Sequence, residues 1–179
     1  RRSSDLEICG NIASGKTTLC TQLTHKGFTS VFENFQDNPF LQKFYDDPPR
    51  FSFETEITFL LLHYNAIKIN QENSLSAYDF SLFQDIAYAD VNLEGNRHRL
   101  FIELINELHN EVSFPSRVIH LICPEEELIK RIKARKRDVE EAITIDYLKE
   151  INKAIQFRID EISHKIPVAH INSKEINFV

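Results

Sequence analysis

The sequence lacks what a zinc site, a disulfide framework or a membrane span would need. Its 179 residues hold three cysteines, Cys9, Cys20 and Cys123. Their number is odd and their spacing wide, so neither a zinc signature nor a set of disulfides follows, and a reducing cytoplasm fits best. No apolar run is long enough to cross a bilayer, and no signal peptide is recognisable, so no membrane association is expected. Methionine is absent. With Arg1 as the first residue, this reads as a trimmed or partial chain, and the first four residues carry no argument. Positive charge is also short: the net charge is −6. Binding a nucleic-acid backbone needs a broad basic face, so nucleic acid is not expected as a partner. No internal repeat, linker or low-complexity segment appears, and residues 1–179 are expected to form one domain. The hydrophobic fraction of 42% and the length suffice for a core.

Residues Gly10, Asn11, Ile12, Ala13, Ser14, Gly15, Lys16 and Thr17 spell a full G-x-x-x-x-G-K-[ST] phosphate loop, with Thr18 following. Leu6, Ile8 and Cys9 before it form a short apolar strand, and residues 17–23 after it can run as a helix. The glycines let successive N–H groups turn towards phosphate oxygens, and the helix N-terminus adds its positive end. Lys16 would reach the β- and γ-phosphates, and the Thr17 hydroxyl would ligate Mg²⁺. The loop implies nucleotide binding, with ATP and Mg²⁺. It does not say what accepts the phosphate.

Five short β-like runs, at residues 6–9, 30–33, 75–80, 117–123 and 168–172, alternate with helical stretches. Several are apolar throughout, as in strands buried on both faces. The expected fold class is therefore α/β: a five-stranded parallel sheet flanked by helices. Pro39 suggests a helix starting near Asn38, and Pro48 with Pro49 should break the chain. A long helix is expected over 52–71, with Phe53, Ile57, Leu60, Leu61, Tyr64 and Ile67 at helical spacing. Further helices are expected over 82–91, 98–112, 125–136 and 145–163.

Glu33 ends the second predicted strand, on the same edge as the phosphate loop. A carboxylate there could take a proton from an attacking hydroxyl, or could be a solvated loop cap, and spacing does not choose. Asp79, near the end of the third strand, could hold Mg²⁺ or could sit in a turn. Arg131 and Arg135 share a helix face, and Arg137 follows. Such a run is usually a solvated basic face. Beside a phosphate loop, the favoured reading is an arginine-rich lid that closes over triphosphate.

In this order the pieces resemble the deoxynucleoside kinase family, particularly its bacterial deoxyadenosine/deoxyguanosine kinases. The resemblance spans about residues 6–157. It rests on the phosphate loop, Glu33, the segment from Asp37-Asn38-Pro39-Phe40-Leu41 to Tyr45-Asp46-Asp47-Pro48, Arg50-Phe51-Ser52-Phe53, Asp79-Phe80-Ser81 with Asp85, residues 131–140, and Ile145-Asp146-Tyr147-Leu148. It implies a phosphate-loop kinase fold and ATP-dependent phosphorylation of the 5′-hydroxyl of a deoxynucleoside. By the same resemblance Glu33 is the general base, Tyr45 and Glu140 hold the sugar 3′-hydroxyl, and Arg131, Arg135 and Arg137 are lid arginines. Family members are commonly dimers, which implies a homodimer, and the apolar long helix would allow it.

The departures fall on the acceptor side. The family's Asp-Arg-Ser reads Asp79-Phe80-Ser81, so a phosphate-contacting arginine is replaced by a residue that cannot carry charge. The base-reading glutamine falls on Glu56 and its accompanying arginine on His63. The family's aspartate is kept as Asp85, and a stacking phenylalanine falls on Ala89. An ionised glutamate offers acceptors only, and guanine presents two adjacent donors, so a base beside Glu56 is expected to be guanine. Glu56 and His63, roughly 10 Å apart along one helix, could flank a ligand without pairing. Taken by itself, His63 reads more readily as a partly buried helix histidine than as a ligand group. The leading expectation is a kinase of a purine deoxynucleoside, deoxyguanosine favoured. The alternatives are a nucleotide-binding, catalytically weak relative with a regulatory or assembly role, and a kinase of a non-nucleoside alcohol.

Overall fold

The structure is a computed structural model, and it describes residues 5–73 and 75–176. The expected domain over residues 1–179 thus extends beyond them at both ends. Five parallel strands form one sheet in the order β2-β3-β1-β4-β5. They are β1 (Asp5–Gly10), β2 (Thr29–Val31), β3 (Ser76–Tyr78), β4 (Arg117–Ile122) and β5 (Val168–Asn172). All five predicted strands are present, with β2 and β3 shorter than their apolar runs. Helices α1 (Lys16–Thr24), α2 (Leu41–Asp46), α3 (Pro48–Asn70), α4 (Leu82–Asn92), α5 (Gly95–Val112), α6 (Glu125–Arg135) and α7 (Ile145–Ser163) connect and cover them.

The central strand β1 is buried along its whole length, the carboxylates of Asp5 and Glu7 included. Ile8, Ala77 and Leu121 point to the face covered by α1, where they pack with Cys20. Cys9 and Val118 point to the other face and meet Ala87 of α4 with Ile151, Ile155 and Ile159 of α7. Leu60 and Ile67 of α3 join Tyr78, Phe80 and α5 residues Phe101 and Ile105 in a third cluster.

Two expected boundaries shift. The expected break falls at Asp47, which ends α2, but Pro48 and Pro49 occupy the first turn of α3, which therefore starts before residue 52; a missing N–H costs nothing there and the fixed φ favours the helix. Asn38 does not begin a helix. Its side chain accepts from Phe40 N at 3.1 Å and donates to Thr55 O at 3.0 Å, tying an extended corner to α3, and α2 starts at Leu41. Glu33 lies beyond the end of β2 rather than at its last residue.

No helix among the described residues is long and apolar enough to cross a membrane. All three cysteines are free and buried.

Candidate active site

The phosphate loop joins β1 directly to α1, and its glycines act for two different reasons. Gly15 has φ 102°, in the left-handed region where a side chain is strained. At Gly10 the reason is space: a Cβ would lie 2.5 Å from Ser14 Oγ and 3.1 Å from the Leu121 carbonyl oxygen. Gly10 N donates to Gln84 Oε1 of α4 at 3.1 Å. The buried Asn11 side chain donates to Leu148 O (2.9 Å) and Asn152 Oδ1 (2.8 Å) of α7 and accepts from Ile12 N (2.8 Å). The loop is therefore held from behind by two helices. Lys16 Nζ donates to the carbonyls of Gly10 (3.0 Å) and Asn11 (3.1 Å), so the ammonium is already drawn across the loop.

Thr17 Oγ1 donates to Asp79 Oδ2 at 2.7 Å, which brings the two expected metal ligands together. Asp79 is buried, and its Oδ1 has no hydrogen-bond partner among the described residues. Burial lifts its carboxyl to about 6, against the pull of Lys16 and Thr17. An orphaned buried carboxylate oxygen beside a threonine hydroxyl suits a hard divalent cation. Among the described residues no three His, Cys, Asp or Glu side chains are arranged to hold a metal ion by themselves, so such an ion would draw further ligands from phosphate and water.

Glu33 reaches the cleft through a partner that the sequence reading did not give it. His63 Nε2 lies 3.1 Å from Glu33 Oε2, and His63 Nδ1 lies 3.0 and 2.9 Å from the two oxygens of Asp85. Burial alone would strip the ring of its proton, but the charges and hydrogen bonds of Asp85 and Glu33 hold it and raise its pKa to about 10. For Glu33, burial alone would raise the carboxyl. His63, with Lys16 and Arg137 further off, holds it below the ordinary glutamate value.

The wall of the cleft is one stripe of α3. Thr55, Glu56, Phe59 and His63 line it at helical spacing, while Leu60 and Ile67 join the core. Glu56 Oε1 accepts from Asn92 Nδ2 at 2.8 Å, and Asn92 also donates to Tyr147 OH at 3.0 Å. Burial pushes the Glu56 carboxyl up to about 8, against its hydrogen bond from Asn92. At neutral pH Glu56 therefore keeps its proton. Desolvation outweighs the helpful neighbours, which favours the protonated carboxyl. Glu56 and His63 do not pair with each other, as expected, but His63 is committed to Glu33 and Asp85 rather than open to a ligand.

The three arginines are not equivalent. Arg131 donates to Ser173 O (2.8 Å), to Glu127 (3.0 Å) and, at 3.4 Å, to the carbonyls of Ala13 and Ser14, bracing the loop. Arg135 forms a bidentate pair with Glu140, and Arg137 lies 3.5 Å from the same carboxylate with its guanidinium over the Phe35 ring. Burial raises the Tyr45 hydroxyl, reinforced by the charge of Glu140.

Residues 12–18, Glu33, Tyr45, Glu56, His63, Asp79, Asp85, Arg131, Arg135, Arg137 and Glu140 all line one cavity of about 630 Å³. Gly10 and Asn11 do not line it and instead shape the loop from behind. Phe59, Gln84, Tyr88 and Tyr147 also line it and were missed. The signal for two of them was present: Gln84 and Tyr88 sit four residues apart, flanking Asp85, on a largely apolar helix.

A family model for deoxynucleoside kinase matches residues 6–179. A deoxyadenosine kinase of Dictyostelium discoideum is 30% identical over 177 residues, covering 95% of this chain and 72% of that protein. A deoxyguanosine kinase of Bacillus subtilis (strain 168) is 27% identical over 168 residues, covering 90% of this chain and 81% of that one. Among solved structures, a deoxyadenosine kinase from M. mycoides with bound dCTP superposes with a TM-score of 0.84 at 23% identity, covering 97% and 91% of the two chains. The shared fold is the phosphate-loop kinase fold.

Proposed function

Because the chain belongs to the deoxynucleoside kinase family, we propose that this kinase transfers the γ-phosphoryl group of ATP to the 5′-hydroxyl of a purine deoxynucleoside. The observation that carries the reading is the single cavity shared by Lys16, Glu33 and Asp79. A nucleoside hydroxyl placed there has a carboxylate on one side and the phosphate loop on the other. The 5′-hydroxyl proton passes to Glu33, the 5′-oxygen bonds to the γ-phosphorus, and the bond to the β–γ bridging oxygen breaks, leaving ADP with the electron pair. Lys16 and Arg131 stabilise the phosphates and Arg135 and Arg137 close the lid side, while Tyr45 and Glu140 hold the sugar. Thr17 and Asp79 would hold Mg²⁺, which would neutralise phosphate charge as the transfer proceeds.

Glu56, with Asp85 behind His63, sets the base. Protonated, Glu56 offers one donor and one acceptor, which suits the adenine edge. Ionised, it suits the paired donors of guanine. Below about pH 8 ionising Glu56 is opposed by its burial, and the paired donors of guanine would offset part of that opposition. Deoxyguanosine is therefore favoured increasingly as Glu56 loses its proton.

The kinase works as a homodimer in the cytoplasm. Leu61 of α3 and Leu100 of α5 are exposed apolar residues that a second copy would cover, and three buried free cysteines suit a reducing compartment. No role for nucleic acid or a membrane is proposed.

A coupled ADP-release assay over the four deoxynucleosides tests the reading. Turnover with purines is expected. ATP binding without turnover on any acceptor would reduce the chain to a nucleotide-binding relative.

A further inference from the structure

His63 and Phe80, which by the resemblance stand where arginines would, are stacked on each other. Their ring centroids are 4.2 Å apart with an interplanar angle of 6°. Phe59 lies on the other side of His63, at 5.8 Å and 28°. The imidazole is thus clamped between aromatic faces and fully enclosed. Both of its nitrogens are used, one on Asp85 and one on Glu33. Glu33 has no other hydrogen bond among the described residues, and its side chain is 27% exposed towards the cleft.

We propose that His63 is the positioning residue for Glu33: it pins Oε2 and thereby directs Oε1 at the hydroxyl that is to be phosphorylated. This rests on the reading of Glu33 as the base. Asp85 orients the ring through Nδ1, which fixes the direction in which Nε2 points. Phe80 and Phe59 prevent the ring from tilting, and an aromatic face also favours a cationic ring. The bulky Phe80 is then no mere loss of charge. Stacked flat on the imidazole, it holds in place a cation delivered from α3 instead of from its own position after β3. A second consequence concerns selectivity. The ring draws on both oxygens of Asp85, which makes Glu56, held by Asn92, the carboxyl freer to read a bound base.

The test compares His63→Ala, His63→Gln, Glu33→Gln and the double variant His63→Ala/Glu33→Gln in the full chain. Readouts are kcat, KM for the deoxynucleoside and ATP affinity. A freed, displaced base is expected to lower kcat about 10²-fold in His63→Ala, with ATP affinity and nucleoside KM changed by less than about threefold. Added imidazole should restore part of that kcat by filling the space between Phe59 and Phe80. Adding His63→Ala to Glu33→Gln should lower kcat no further, because the residue being positioned is already disabled. Glutamine at 63 can reach one carboxylate but not both, so His63→Gln should give an intermediate kcat and serves if the alanine variant does not fold. A loss confined to nucleoside KM, a fall in kcat that imidazole does not rescue, or an additive double variant would each overturn the inference. Full activity in Glu33→Gln would instead overturn the reading of the base, leaving the two failures distinguishable.

Discussion

Phe80 lies flat against His63 and meets Tyr78 edge-on at 5.5 Å, so the residue that follows Asp79 is part of the hydrophobic core. It is 1% exposed. Phe80→Ala should cost about 3–5 kcal/mol, read as a lower urea midpoint. Reinstating the family residue with Phe80→Arg should not raise activity. A guanidinium there would be buried against the His63 cation, and the variant should unfold at lower urea than Phe80→Leu does.

Gly10 is required by contact rather than by φ. Gly10→Ala places a methyl 2.5 Å from Ser14 Oγ and 3.1 Å from a backbone oxygen that cannot move aside easily. The loop must shift, so ATP affinity should fall at least about tenfold and stability by about 1–3 kcal/mol. Calorimetric titration with ATP and thermal unfolding would measure the two. An unchanged ATP affinity would show that the loop tolerates the shift.

Glu56 makes stability depend on pH in a stated direction. Its folded-state carboxyl is raised to about 8 from 4.5. The folded chain therefore holds a proton that the unfolded chain releases. This contribution is fully present below about pH 4.5 and is lost as pH rises to about 8. Glu56→Gln removes the titration. The Tm of the variant should gain on that of the native chain between about pH 4.5 and 8 and then level off. In the same variant the preference between deoxyguanosine and deoxyadenosine should become independent of pH over this window.

Asp79 is expected to act on the cation and not on the nucleoside. Asp79→Asn keeps an acceptor for the Thr17 hydroxyl but removes the charge. It should lower kcat about 10²-fold and raise the Mg²⁺ concentration needed for half-maximal rate, with nucleoside KM little changed. An Mg²⁺ requirement equal to that of the native chain would count against this role.

Much of the fold was legible because its signals are local. The apolar strands, the helix after the loop, and α7, which runs from Ile145 to Ser163 as expected, all follow from short-range pattern. The shifted boundaries at Asn38 and Pro48 came from a cap and a first-turn proline pair, where the same residues can either stop a helix or start one. The candidate site was legible residue by residue, but its internal bonds were not. Nothing in the spacing of Glu33, His63 and Asp85 says that 30 and 22 residues of separation close into one hydrogen-bonded chain.

The order of residues by itself determined the phosphate loop, the parallel α/β architecture and the family, since these depend on backbone conformation and on which residues are apolar. Folding decided what the charges do. Only packing α3 against α4 and against the ends of β2 and β3 gives His63 two carboxylates, makes Phe80 its neighbour and removes Glu56 from water, and only the fold leaves one oxygen of Asp79 unpaired among the described residues. Those outcomes depend on desolvation and on distances of about 3 Å between elements far apart in the chain, and neither quantity exists before the chain has folded.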